Sequence, residues 1–240
     1  MSRLDGKHAV IYGAGVIGSA VARAFAREGA KVHLAGRNRA TLQPLAEEIG
    51  ADTAEVDVTD PSSVDAFADG LERIDISFNA VGADDVQGTP LAEMDVEDFM
   101  QPIVKLARSQ FLTAKAAARK MSDGGVILFF GGSGEPLRDY SIGGFQIALE
   151  AVEALRRQLA SELGGRGIRT VSIRTGGIID SIPAGFEGGE ALAAGLESMT
   201  LTGRGARLED LGDVAAFVAS DKARTMTAAT VNISAGALID

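Results

Sequence analysis

The chain contains no cysteine and no tryptophan, and only two histidines and two tyrosines among its 240 residues. Without cysteine there is no disulfide, no thiolate metal site and no thiol nucleophile. His8 and His33 both fall in apolar, strand-like stretches, so a histidine metal site or a Ser–His–Asp triad has little to be built from. Positive charge is also short: 23 Lys and Arg stand against 33 Asp and Glu, for a net charge of −10 and a pI near 4.8. With no run of Lys or Arg, that balance disfavours contact with a phosphate backbone, so no nucleic-acid partner is expected. Long apolar runs are missing as well. Met1 to Lys7 is polar and the following run, Ala9 to Tyr12, is too short for a secretory core or a membrane span. These absences point to a soluble, cytoplasmic protein with no membrane partner.

Glycine and aliphatic residues are plentiful: there are 30 Gly, and 46% of the chain is hydrophobic. The length suits one large α/β domain, residues 1–240, with a sizeable core. Strand-like runs alternate with helix-like ones throughout. His8 to Tyr12, Lys31 to Ala35, Thr53 to Val56, Asp75 to Phe78, Val126 to Phe130, Arg169 to Arg174 and Thr230 to Ile233 read as strands. Helices are predicted over Val16 to Glu28, Arg39 to Ile49, Pro61 to Arg73, Asp95 to Met121, Phe145 to Leu163 and Leu208 to Ala219, with Pro102 marking a kink or a restart. This alternation predicts a doubly wound parallel sheet of about seven strands with helices on both faces, a Rossmann fold. The pairs Asp84-Asp85 and Arg156-Arg157 read most simply as solvated charges.

The first strand runs into Gly13-Ala-Gly15-Val16-Ile17-Gly18, a G-x-G-x-x-G at a strand-to-helix turn. Gly13 allows the tight turn, Gly15 the approach of backbone to a pyrophosphate, and Gly18 close packing of helix on strand. The unpaired N–H groups of the helix N-terminus then face the phosphates. NAD-selective proteins of this kind place an acid after the second strand to hold the ribose 2′-OH. Here Gly36 stands in its place, followed by Arg37 and Asn38 with Arg39 nearby. A guanidinium there can pair with a 2′-phosphate, so NADP(H) is expected over NAD(H).

With these residues in view the whole chain resembles the short-chain dehydrogenase/reductase family. Glu55-Val-Asp57-Val58 is similar to the family's D-V segment, which implies that Asp57 and Val58 contact the adenine. Asp75-Ile-Ser-Phe-Asn79-Ala80-Val81-Gly82 resembles D-I-L-V-N-N-A-G, and Ile168 to Gly176 resembles I-R-V-N-x-x-x-P-G, with Thr175 at the proline. The resemblance implies that Asn79, Ala80, Gly82, Thr175, Gly176 and Ile178 join the cofactor site. It also implies a variable lid over about 176–205, where Ile182, Phe186, Leu192, Leu196 and Met199 give either an apolar cover or ordinary packing of a short helix. A homodimer or homotetramer through the helices carrying Ala114 to Ala118 and Phe145 to Leu163 is implied too.

The chain departs from the family at the reacting positions. The family uses a Tyr acid/base, a Lys that lowers its pKa, a Ser and an Asn. The matching positions carry Phe145 for Tyr, Leu149 for Lys and Leu106 for Asn, and Gly132 or Ser133 stands at the Ser. The family's nicotinamide-facing Thr is matched by Asp180, and no Lys occurs between Lys120 and Lys222 to rescue the pair in another register. Ser133 could hold a substrate oxygen and Tyr140 could donate a proton. The alternative makes Ser133 a turn residue and Tyr140 a rim aromatic. Three functions stay open at this point. The first is an NADP(H)-dependent oxidoreductase acting on a small carbonyl, alcohol or enoyl-type substrate with a non-standard proton donor. The others are an NADP-binding pseudoenzyme and a non-redox lyase or isomerase on the same fold.

Overall fold

The computed structural model describes residues 2–132 and 141–239. Its elements run β1 (His8–Tyr12), α1 (Val16–Arg27), β2 (Lys31–Gly36), α2 (Arg39–Ile49), β3 (Asp52–Glu55), α3 (Pro61–Gly70), β4 (Ile76–Asn79) and α4 (Val96–Lys120). They continue with β5 (Val126–Gly132), α5 (Gly144–Leu163), β6 (Arg169–Thr175), α6 (Gly189–Ser198), α7 (Leu208–Ala219) and β7 (Ala229–Asn232). The strands form one parallel sheet in the order β3-β2-β1-β4-β5-β6-β7.

Both faces of the sheet are covered, and the strands are apolar on both sides for that reason. In β1, Ala9 and Ile11 enter the core shared with α1, α2 and α7, whereas Val10 and Tyr12 enter the one shared with α3, α4 and α5. Local signals set the helix ends. The Asn38 side chain accepts from Ala40 N to begin α2, and Gly50 ends it at φ 67°. Asp60 accepts from Ser62 N ahead of Pro61 at the start of α3.

Two expectations shift. Helix α3 stops at Gly70 rather than Arg73, because Leu71 turns to extended backbone and packs its side chain on the core. Helix α4 passes through Pro102 without a restart. The proline ring is buried, so the packing of a 25-residue helix outweighs one missing hydrogen bond. An apolar stripe of Val96, Met100, Val104 and Phe111 stays exposed along α4, with Ile147 exposed on α5. It lies on the helices where the resemblance places a second copy of the chain.

His33 has a testable consequence. It is 6% exposed on β2, its Nε2 has no hydrogen-bond partner among the described residues, and its Nδ1 lies 3.4 Å from an Asp52 oxygen. Burial holds the imidazole below its ordinary value near 6.5, against the opposing pull of Asp52. The unfolded chain therefore takes up this proton at a higher pH than the folded one. The contribution of neutral His33 to stability is full above about pH 6.5 and is lost as pH falls toward the folded value. Urea denaturation at stepped pH is expected to show stability declining through this range, and less steeply in His33→Leu. Equal slopes in the two proteins would assign the decline to other groups.

Candidate functional site

After β3 the chain crosses to β4 on the far side of β1, which opens a crevice at the carboxyl ends of β1 and β4. Ligands of open α/β sheets sit at such a switch point. The glycine turn lies there. Gly13 adopts φ 86°, and its position is tight: a Cβ on it would stand 3.1 Å from Val81 Cγ2. A Cβ on Gly18 would meet the Gly13 carbonyl oxygen at 1.8 Å, so α1 approaches the turn as closely as only glycine permits. Gly15 differs from both. A Cβ there meets nothing within 4 Å, and the residue caps α1 with no side-chain hydrogen bond. The first N–H groups of α1 have no acceptor within the helix, and the space beside Gly15 is open among the described residues. That cradle fits a pyrophosphate.

The ends of the neighbouring strands carry the remaining dinucleotide candidates. Arg37 is exposed after β2 and close enough to Asp57 to help hold that carboxyl below its usual range, after the stronger effect of hydrogen bonds from Thr59. Asp57 accepts from both Thr59 N and Thr59 Oγ1, which leaves the loop after β3 pinned by its own side chain. Val58 is buried beneath it. Asn38 spends its side chain on the cap of α2.

Beyond the turn a cavity of about 420 Å³ opens at the ends of β4, β5 and β6. Ile17 of α1 lines it and so joins it to the glycine turn, and Asn79, Ala80, Gly82, Thr175, Gly176 and Ile178 line it as well. Val16, next to Ile17, is half exposed at the start of α1. Asn79 is buried and braces this end of the sheet: its Nδ2 donates to Thr113 Oγ1 and its Oδ1 accepts from Val81 N. Thr175 Oγ1 accepts from Gly177 N and so shapes the loop after β6.

Leu106 of α4 and Phe145 and Leu149 of α5 all line this cavity, so the three positions matched to the family's reacting groups come together as apolar side chains. Ser133 and Tyr140 lie outside the described residues. Asp180 does not line the cavity. It accepts from Arg207 Nη1 and Leu208 N and ties the 3-10 turn after β6 to α7. From the stretch 176–205 the cavity takes Gly176, Gly177, Ile178 and Ser181.

Sequence reading missed several lining residues. Gln110 is buried four residues after Leu106, and its Nε2 donates to the Asn79 carbonyl. The helical spacing from Leu106 was the available signal. Asp85 and Gln87, hydrogen-bonded to each other at 2.6 Å, also line the cavity, on a loop with no motif. The reading of Asp85 as solvated is corrected here, since it is half-buried at the site, whereas Asp84 is exposed and pairs with Lys105. Arg156 is corrected too: it is buried and paired with Glu153, because it falls on the inner face of α5 with Leu149 and Val152.

Comparison with known proteins agrees with this geometry. The family described as enoyl-(acyl carrier protein) reductase matches residues 13–237. An enoyl-[acyl-carrier-protein] reductase [NADH] of Rhizobium meliloti is 30% identical, over 93% of this chain and 88% of that protein. The dehydrogenase/reductase SDR family member 6 of Rattus norvegicus is 32% identical, over 98% of this chain and 99% of its own length. A solved short-chain type dehydrogenase/reductase from Mycobacterium marinum superimposes with a TM-score of 0.83 at 30% identity, covering 99% of this chain and 97% of that one. The chain belongs to the short-chain dehydrogenase/reductase family of oxidoreductases.

Proposed function

We propose that the chain binds NADP(H) and acts as an oxidoreductase on a small, largely apolar carbonyl, alcohol or enoyl-type compound, with a proton donor other than the family's Tyr–Lys pair. The observation that carries this reading is Ile17, which belongs to the glycine turn and also lines the 420 Å³ cavity. A dinucleotide laid across the turn would therefore reach that cavity with its far end. When bound, it supplies the hydride. Gly15 and the N-terminal N–H groups of α1 would hold the pyrophosphate, and Asn79 and Thr175 keep the strand ends and loops around the cavity in place. Leu106, Phe145 and Leu149 exclude water and favour an apolar substrate. The Rhizobium relative is named for NADH. In this chain Gly36 and Arg37 favour the 2′-phosphate instead.

The same three apolar side chains favour a second reading, in which the protein holds the nucleotide without turning it over. Fluorescence titration followed by a carbonyl and enoyl panel separates the two. NADPH is expected to bind more tightly than NADH and to be oxidised with at least one member of the panel. Arg37→Ala is expected to weaken NADPH by roughly tenfold or more, the worth of one charge-assisted hydrogen bond, and to leave NADH unchanged. Tight binding with no turnover supports the second reading. An unchanged NADPH affinity in Arg37→Ala removes the 2′-phosphate assignment.

A further inference from the structure

A second cavity, about 190 Å³, lies behind the first, and the two share Phe130, Leu149 and Val152 as a common wall. Its character is opposite. Arg156, Arg157 and Arg174 line it together with Glu150 and Glu153. Glu153 is fully engaged: one oxygen accepts from Ser172 Oγ, and the other from Arg156 Nε and Nη2 and from Thr230 Oγ1. Arg156 is 3% exposed, and its Nη1 has no hydrogen-bond partner among the described residues. A buried guanidinium N–H without an acceptor is costly, so a lined, polar space beside it calls for an acceptor beyond those that the described residues supply. The exposed Arg157 next to it adds a second cation, while Glu150 is exposed and accepts from Gln146 Nε2.

We propose that this cavity binds a small oxyanion, a phosphate or a carboxylate, on Arg156 and Arg157. Planar guanidinium forks match the geometry of such oxygens. The volume suits a group of this size and is below that of ordinary small-molecule pockets, which begin at about 300 Å³. The site is separate from the glycine turn and does not depend on the hydride reading. Because its wall includes Leu149, an anion there sits directly behind the candidate reacting position.

Inorganic phosphate is the probe, titrated calorimetrically at low ionic strength so that screening does not mask the contact. Wild type and Arg37→Ala are expected to bind it saturably and with equal affinity. Arg157→Ala should weaken it about tenfold, the loss of one charge-assisted contact. The paired change Glu153→Gln/Arg156→Met, which removes both charges of the buried pair together, should abolish it, with circular dichroism reporting whether that variant is folded. If the paired variant does not fold, Arg157→Ala alone decides. The proposal is overturned if wild type shows no saturable binding, if binding survives unchanged in Arg157→Ala, or if it disappears in Arg37→Ala. That last result would place the phosphate in the dinucleotide site.

Discussion

Alanine at Gly18 is expected to abolish nucleotide binding and to lower stability, whereas alanine at Gly15 should abolish binding alone. The difference follows from what each new Cβ would meet. At Gly18 it would fall 1.8 Å from the Gly13 carbonyl oxygen and 3.4 Å from Ala80 Cβ. The first contact is with backbone, which cannot step aside as the end of a side chain can. Helix α1 or the turn must move, and both are anchored: Gly13 N donates to the Ala35 carbonyl, and Val21 and Phe25 of α1 are fully buried. Overpacking of this kind costs about 1–3 kcal/mol, and the clash is severe enough to expect the upper end. The moved helix would also take its N-terminal N–H groups away from the proposed phosphate position.

At Gly15 the new Cβ meets nothing within 4 Å, and its φ of −67° with ψ of −173° is open to any L residue. The fold should be indifferent. The methyl instead enters the space where the proposed pyrophosphate would lie. Thermal melting with NADPH titration of both variants checks the pair: Gly18→Ala should lose both stability and binding, and Gly15→Ala binding only. If Gly15→Ala binds NADPH as wild type does, the pyrophosphate does not lie over that residue.

The glycine turn was legible in the sequence because it joins two periodicities. An apolar strand passes through closely spaced glycines into a 3.6-residue repeat, and each step of that pattern has one structural meaning. The parallel sheet with helices on both faces followed from the alternation of strands and helices, whereas the order β3-β2-β1-β4-β5-β6-β7 came only from the structure. Phe145 and Leu149 are four apart on one helix, so one assignment of register placed both, and both line the cavity. What could not be read was contact between elements distant in sequence. Gln110 shares the face of α4 that carries Leu106, but its bond to the Asn79 carbonyl depends on α4 lying against the end of β4, which spacing alone does not show. Arg156 and Arg157 look equivalent as neighbours, yet a turn of about 100° between them buries one and exposes the other. The Glu153–Arg156 pair, with Ser172 and Thr230 around it, assembles three elements that no local pattern connects.

The double variant Phe145→Tyr/Leu149→Lys is expected to raise NADPH-dependent carbonyl reduction by about a hundredfold or more, the usual scale of a positioned acid/base group. Phe145 and Leu149 line the same cavity and sit one helical turn apart, so a phenol and an ammonium placed there would face each other across that turn. An isolated phenol titrates near 10 and is a poor proton shuttle at neutral pH. A cation beside it favours the phenolate and brings that value down. The ammonium needs compensation of its own, because Leu149 is only 8% exposed. Leu149 also forms part of the second cavity, where the carboxylates of Glu150 and Glu153 lie. The single change Phe145→Tyr should give a smaller gain with a more alkaline optimum, since its hydroxyl would have no cation four residues on. Initial rates against pH for wild type, the single variant and the double variant make the comparison. NADPH affinity should stay within about twofold throughout, because neither position belongs to the glycine turn. A double variant with intact NADPH affinity that is no faster than wild type would take positions 145 and 149 out of the reaction and leave the proton to groups elsewhere around the cavity.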